Sequence, residues 1–258
     1  MWYNYIVLKK GEKADMKRIL EILKEQRDMR LKGNLYHVTQ IHFAYNTNHI
    51  EGNSLTEEQT RYIFETNTLF VEDGQSETKV DDIIETANHF KLVDYMLDIA
   101  DVDLSEDMIK EFHKILKTGT SDERKKWFNV GDYKTLENEV GGKNTTSTKD
   151  VSKEISKLLN WYNGLKNVNL EDIIEFHCKF ERIHPFQDGN GRVGRIIMFK
   201  ECLKNDIIPF IILDKNKAFY YRGLSEYEKG IEKGYLVDTC LDAQDYYKAM
   251  IEKYVNNK

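Results

Sequence analysis

Residues 170–203 read LEDIIEFHCKFERI (170–183), HPFQDGNGRVGR (184–195) and IIMFKECL (196–203), and the fold class follows from them. Asn169 offers a side-chain oxygen to the first free N–H groups of a helix, and Glu171 and Asp172 suit its positive end. The pattern therefore predicts a helix over Leu170–Ile183 that delivers His184 at its tail. A second helix is expected from Arg192 through Leu203, where Val193, Ile196, Ile197 and Leu203 sit among apolar neighbours. Between the two lies a loop dense in chemistry. Gly189 and Gly191 lack a Cβ, so the backbone can aim successive N–H groups at one anion beside a helix start. Asp188 is a hard carboxylate of the kind that holds magnesium with several waters retained. Arg192 and Arg195 present planar forks for phosphate oxygens or for a competing carboxylate. His184 is the group in this run that accepts a proton near neutral pH. Alone, a glycine-rich loop is a turn and a histidine a hydrogen-bonder. Base, carboxylate, anion nest and paired arginines together read as a nucleotide phosphate site with its own proton acceptor.

Outward from this run, helical spacing dominates. Met16, Ile19, Leu20 and Leu23 predict a helix that stops near Gly33 and Asn34, and Val80, Ile83, Ile84 and Ala87 predict another. Leu35–Ile50 reads as a helix with Val38, Ile41, Ala44 and Tyr45 on one face and Gly52 as its C-terminal cap. Thr56 and Gln59 have the spacing of a capping box. Val151, Ile155, Leu158, Leu159 and Tyr162 form a further apolar face, followed by Gly164. Lys143–Asp150, rich in Thr and Ser, reads as a loop. His177, His113 and His89 read as buried hydrogen-bonders. The chain has only 2 prolines in 258 residues, so few breaks interrupt the helices.

Composition excludes several classes. With 40% hydrophobic and 12% aromatic residues the chain can fill a sizeable core. A formal charge of -6 argues against broad nucleic-acid binding. No apolar run approaches membrane-spanning length, the start lacks a signal-peptide pattern, and Cys178, Cys202 and Cys240 lack CxxC spacing. These features predict a cytoplasmic protein with reduced thiols, no nucleic-acid partner and no membrane partner.

The run His184–Arg195 resembles the signature of the Fic domain family, His-Pro-Phe-x-(Asp/Glu)-Gly-Asn-Gly-Arg-x-x-Arg, and meets every fixed position of it. A second resemblance lies upstream, where Thr47-Asn48-His49-Ile50-Glu51-Gly52 is similar to the family's inhibitory motif, (Ser/Thr)-x-x-x-Glu-(Gly/Asn). The resemblance implies an all-α Fic fold, a helical bundle with a small β-hairpin flap beside the active site. It covers roughly Leu35 to Tyr246. An N-terminal helical region over 1–75 would include the inhibitory helix, about 35–52, and 76–258 would hold the core and C-terminal helices, the whole forming one compact unit.

The resemblance further implies a protein adenylyltransferase. AMP would move from ATP to a Ser, Thr or Tyr hydroxyl of a target protein, or of the chain itself. His184 would be the base and Asp188 the Mg2+ ligand. Gly189, Asn190 and Gly191 would cradle phosphates, and Arg192 and Arg195 would hold the β- and γ-phosphates. Thr47, Glu51 and Gly52 would restrain the reaction, with Glu51 forming a bidentate pair on Arg195. Gly131–Gly142 is similar to the flap, in which Lys134, Thr135, Leu136, Glu137, Asn138, Glu139 and Val140 would register a target's backbone by strand addition. Tyr221 would border adenine, and Glu228 stands where some relatives carry an adenine-reading Asn. Two other functions remain open: hydrolytic removal of AMP with Glu51 ordering water, and a non-catalytic nucleotide-binding regulator. Homo-oligomers also occur in the family.

Overall fold

The computed structural model describes residues 5–8, 15–69, 77–228 and 234–256. The described residues are mostly helical. A hairpin of β1 (Tyr5–Leu8) and β2 (Asp15–Arg18) leads into α1 (Ile19–Met29). Then follow α2 (Leu35–Ile50), α3 (Glu57–Thr66), α4 (Val80–Asp98) and α5 (Glu106–Lys117). A 3-10 turn at Ser121–Arg124 precedes a short hairpin of β3 (Glu139–Val140) and β4 (Lys143–Asn144). The remaining helices are α6 (Val151–Asn163), α7 (Leu170–Ile183), α8 (Asn190–Lys204), α9 (Lys217–Glu228) and α10 (Gly234–Ile251).

Local chemistry explains the boundaries. The Asn34 side chain accepts from the backbone N–H of His37 to open α2. Thr56 and Gln59 complete a reciprocal capping box at α3, an arrangement whose loss costs about 1 kcal/mol. Asn169 and Asp172 do the same at α7. Two expectations need correction. Met16 lies in β2 and the helix begins only at Ile19. Lys143 and Asn144, read as loop, pair with Val140 and Glu139, because Gly141 and Gly142 both take positive φ and turn the chain back.

The apolar cluster runs from Ile19 to Val255. At its centre α7 packs on α8, and α2 touches α1, α3, α4 and α8. α2 is consequently buried on nearly every side, with Leu35, Ile41, Phe43 and Ala44 at most 1% exposed. Its surroundings, rather than a single apolar stripe, hold it. The turn after it is fastened as well, since the Asn53 side-chain amide donates to Asp82 O and Thr86 Oγ1 at the start of α4. A helix so enclosed carries its C-cap residue, Glu51, to a fixed place.

Candidate active site

The site forms where α7 ends and α8 begins. His184 closes α7 in the left-handed region, φ 51°, while its N–H still reaches Phe180 O at 2.9 Å. This turn throws the imidazole out of the helix line. Burial, and then the Lys134 ammonium, push the ring down to about 4. His184 is therefore neutral at pH 7 and able to accept a proton. Gly189, φ 84°, turns the loop into α8, and Asn190 is the first residue of that helix. The Asn190 side chain faces inward, accepting from Phe186 N and donating to Phe186 O, both at 2.8 Å. It braces the loop, so the groups offered to an anion there are backbone N–H groups.

The two arginines of α8 part company. Arg195 is 2% exposed and donates from Nε to Thr47 Oγ1 at 2.6 Å, and from Nη2 to Thr47 O at 3.0 Å and Glu51 Oε1 at 2.6 Å. The expected fork-to-fork pair is thus replaced by a single carboxylate oxygen on Nη2, because Thr47 already engages Nε. A Cβ built at Gly191 would lie only 2.2 Å from Glu51 Oε1. The Glu51 carboxylate fills the space that this glycine leaves over the first turn of α8. Arg192 turns the other way. It binds Glu85, and reaches Asp188 Oδ2 at 3.1 Å and Asn48 Oδ1 at 3.4 Å, fully inside the protein. Its guanidinium faces the protein's own carboxylates.

Asp188 is half exposed, and Lys117 Nζ and Arg192 Nη2 both grip its Oδ2. Burial works against its charge, yet Arg192 and Lys117 hold its carboxyl well below the usual carboxylate range. It is ionised at any physiological pH and turns one face outward. His113 supports the same loop from behind, with Nε2 3.1 Å from Asp188 O and Nδ1 accepting from Gly131 N at 3.0 Å. Its ring stacks on Phe186 with centroids 4.0 Å apart.

The flap residues are laced to this loop. Lys134 N donates to Pro185 O at 2.9 Å, Leu136 N to Gln187 Oε1 at 3.2 Å, and Asn138 Nδ2 to Phe186 O at 3.2 Å. Lys134 Nζ ties Asn138 Oδ1 to Thr145 Oγ1. Thr135 Oγ1 donates to Trp127 O, and Glu137 accepts from Thr148. Only Glu139 and Val140 of the expected flap are strand, so side-chain clamps and isolated backbone bonds rather than a ladder hold the rest. Leu136 and Val140 face outward, each 48% exposed.

The aromatic pair of α9 divides its tasks. Tyr221 is 45% exposed and donates to Ile50 O at 3.1 Å, closing the end of α2. Tyr220 is buried. Its hydroxyl lies 2.6 Å from His177 Nε2 and accepts from Arg195 Nη1 at 3.4 Å. His177 is thus the hydrogen-bonder expected, as is His113, whereas neither ring nitrogen of His89 has a partner among the described residues. Burial, with Arg192 and Arg195 nearby, pushes His89 down to about 3, so it packs as a neutral ring against Phe43. The Glu228 side chain lies outside the described residues. Sequence reading missed Lys117, Glu85, Tyr220 and the bracing role of His113. The one signal was His113 and Lys117 spaced four apart on the apolar face of α5.

Residues 103–202 match the family model of the Fic/DOC family. Over these residues the chain is similar to a Fic domain. It is 27% identical over 186 residues to protein adenylyltransferase fic-1 of Caenorhabditis elegans, a match spanning 70% of this chain and 35% of that one. It is likewise 27% identical over 190 residues to protein adenylyltransferase Fic of Nematostella vectensis, covering 72% of this chain and 43% of the relative. The matches thus span less than half of these curated relatives. Among solved structures, a Fic domain containing signaling protein from Bacteroides thetaiotaomicron superposes with a TM-score of 0.67 at 22% identity, covering 92% of this chain and 94% of that one. That likeness establishes a shared fold. Among the described residues no helix is long and apolar enough to cross a membrane.

Proposed function

We propose that this chain is a protein adenylyltransferase held in check by its own Glu51. The observation that carries the reading is the Glu51 carboxylate against Gly191 and Arg195 at the N-terminus of α8. An anion stands where backbone N–H groups, a helix dipole and a buried guanidinium favour anions. A nucleotide's phosphates suit the same position once Glu51 withdraws, with Gly189–Gly191 offering backbone donors and Arg195 its fork. The relatives' names support this reading at the level of the family.

In the proposed reaction the oxygen of a Ser, Thr or Tyr hydroxyl, on a target protein or on the chain itself, bonds to the α-phosphorus of ATP. The bond from that phosphorus to the bridging oxygen breaks, pyrophosphate leaves, and the hydroxyl proton passes to neutral His184. Asp188 fits Mg2+ by its chemistry, being a hard carboxylate kept ionised and half open, and the ion would supply charge neutralisation for the phosphates. Arg192 serves through Asp188, whose carboxylate it steadies. Tyr221 and the outer edge at Leu136 and Val140 are the proposed contacts for adenine and for an extended target segment.

Incubation with labelled ATP and Mg2+ tests this for the parent, Glu51→Gly and His184→Ala. Label is expected on protein, more of it with Glu51→Gly, and about 10² to 10⁴ less with His184→Ala. His184→Ala should still bind ATP. Absence of label from parent and Glu51→Gly alike, with ATP bound and no AMP released from premodified protein, would leave only the regulator reading. Release of AMP from premodified protein that depends on Glu51 would favour hydrolysis.

A further inference from the structure

The cluster beneath Asp188 contains a cation to which the transfer chemistry assigns no part. Lys117, the last residue of α5, has a side chain only 2% exposed. Its Nζ lies 2.5 Å from Glu85 Oε1, 2.6 Å from Asp122 Oδ2 and 2.7 Å from Asp188 Oδ2. These carboxylates come from α4, from the 3-10 turn at Ser121–Arg124 and from the loop before α8. Their oxygens stand within 4.8 Å of one another, close enough to share a single divalent ion. The ammonium occupies the middle of that triangle. Its three N–H donors meet three carboxylate acceptors, which saturates it. Arg192 adds a second positive charge, on Glu85 and on the same Asp188 oxygen. Two cations against three carboxylates leave a single net negative charge in a pocket mostly closed to water. Of the three carboxylates Asp188 alone is open, at 52% exposed against 10% for Glu85 and 14% for Asp122.

We propose that Lys117 is the resident cation of this cluster. It positions Asp188 and prevents the Glu85–Asp122–Asp188 triangle from binding a divalent ion unaided, so that an ion joins Asp188 only when a nucleotide brings phosphate ligands with it. This rests on the reading that the site takes a nucleotide with its metal. The physical reason is charge and occupancy. An ion arriving alone meets one open carboxylate with an oxygen already engaged by two cations, whereas an ion carried by a triphosphate brings most of its ligands and part of its counter-charge.

The test is Mn2+ binding, followed by the electron spin resonance of the free ion, in the nucleotide-free chain. The variants are Lys117→Met and the double variant Lys117→Met with Asp122→Asn, which removes one charge of each sign and so spares the core an unmatched carboxylate. Lys117→Arg keeps the cation and should behave as the parent. The parent should bind Mn2+ alone at least tenfold more weakly than whichever methionine variant keeps the parent's circular dichroism. Added ATP should then bring Mn2+ onto the parent, and Asp188→Asn should cancel that gain. Equal Mn2+ affinity in parent and methionine variants overturns the proposal, as does tight, Asp188-dependent binding of Mn2+ to the parent without ATP. If ATP binds to none of these proteins, the adenylyltransferase reading fails separately, because the comparison without nucleotide still decides the part of Lys117.

Discussion

The first turns of α8 carry two arginines with opposite surroundings. On the Arg192 side the counter-charges are Glu85 and Asp188, with Lys117 and Asp122 completing a network drawn from four segments. On the Arg195 side the counter-charge is Glu51, one residue beyond the end of α2, beside Gly52 at φ 90°. Glu51 is 29% exposed where Glu85 is 10%. The first arrangement is part of the interior, and removing any member strands charges that water cannot reach. The second is an anion at a helix terminus, within reach of solvent and held by one oxygen, so another anion can replace it. One helix thus joins a fixed electrostatic scaffold to an exchangeable contact.

The largest effect that can break this contrast is on stability. Glu85→Ala leaves both Arg192 and Lys117 short of a buried partner, and truncating one member of such a network costs about 3–5 kcal/mol. At roughly 2–4 °C per kcal/mol for a chain of this size, the melting midpoint should drop by about 6–20 °C in calorimetry. A drop of only a degree or two would mean that water reaches the cluster and that the scaffold is no more fixed than its neighbour. Glu51→Gly should do the reverse. Arg195 keeps Thr47 and Tyr220, and water takes the vacated place, so folding suffers less than in Glu85→Ala. Nucleotide no longer competes with a charge-assisted hydrogen bond of about 1.5–3 kcal/mol, and its affinity should rise roughly tenfold to a hundredfold by titration calorimetry. Unchanged affinity would mean that Glu51 does not stand in the nucleotide's way.

The scaffold and the exchangeable contact were unequally legible in the sequence. Leu35–Ile50 and Leu170–Ile183 carry their own caps and spacing, and both helices have the bounds expected of them. Local rules of this kind act over four residues, which a sequence displays directly. The Glu51 to Arg195 contact joins residues 144 apart, and resemblance to a family pointed to it where spacing could not. It did not foretell that Thr47 would claim Nε and leave Glu51 a single bond. Lys117 was illegible for the same reason, because its three partners lie on three other segments and a lysine at a helix end ordinarily reads as a solvated cap. The β3–β4 hairpin was displaced because Gly141 and Gly142 set the turn while the strands themselves have almost no apolar alternation.

The smallest effect sharpens the contrast at the base itself. His184 sits between the two networks; burial and then the Lys134 ammonium lower its proton affinity, while Glu181, Glu51 and Asp188 oppose them. Lys134 is itself drawn down to about 8 by burial, with Glu137 opposing, and is only 4% exposed. Lys134→Met removes a positive charge and should raise the His184 midpoint from about 4 by roughly half a unit to one unit, at most about 1.4 kcal/mol, in a proton NMR titration of the ring. The sign on stability follows from proton uptake. The unfolded ring binds its proton near 6.5 and the folded one near 4, so this histidine's contribution is intact above about pH 6.5 and is lost as the pH falls from there toward 4. Lys134→Met narrows that window from its acid side. A midpoint unmoved by the substitution would assign the depression to burial alone. The low midpoint also has a chemical use under the proposed function. Phosphates bound at the turn of α8 would add negative charge beside the ring and raise its proton affinity, and a base that begins near 4 can be raised substantially while staying neutral at pH 7, ready to take a proton from the attacking hydroxyl.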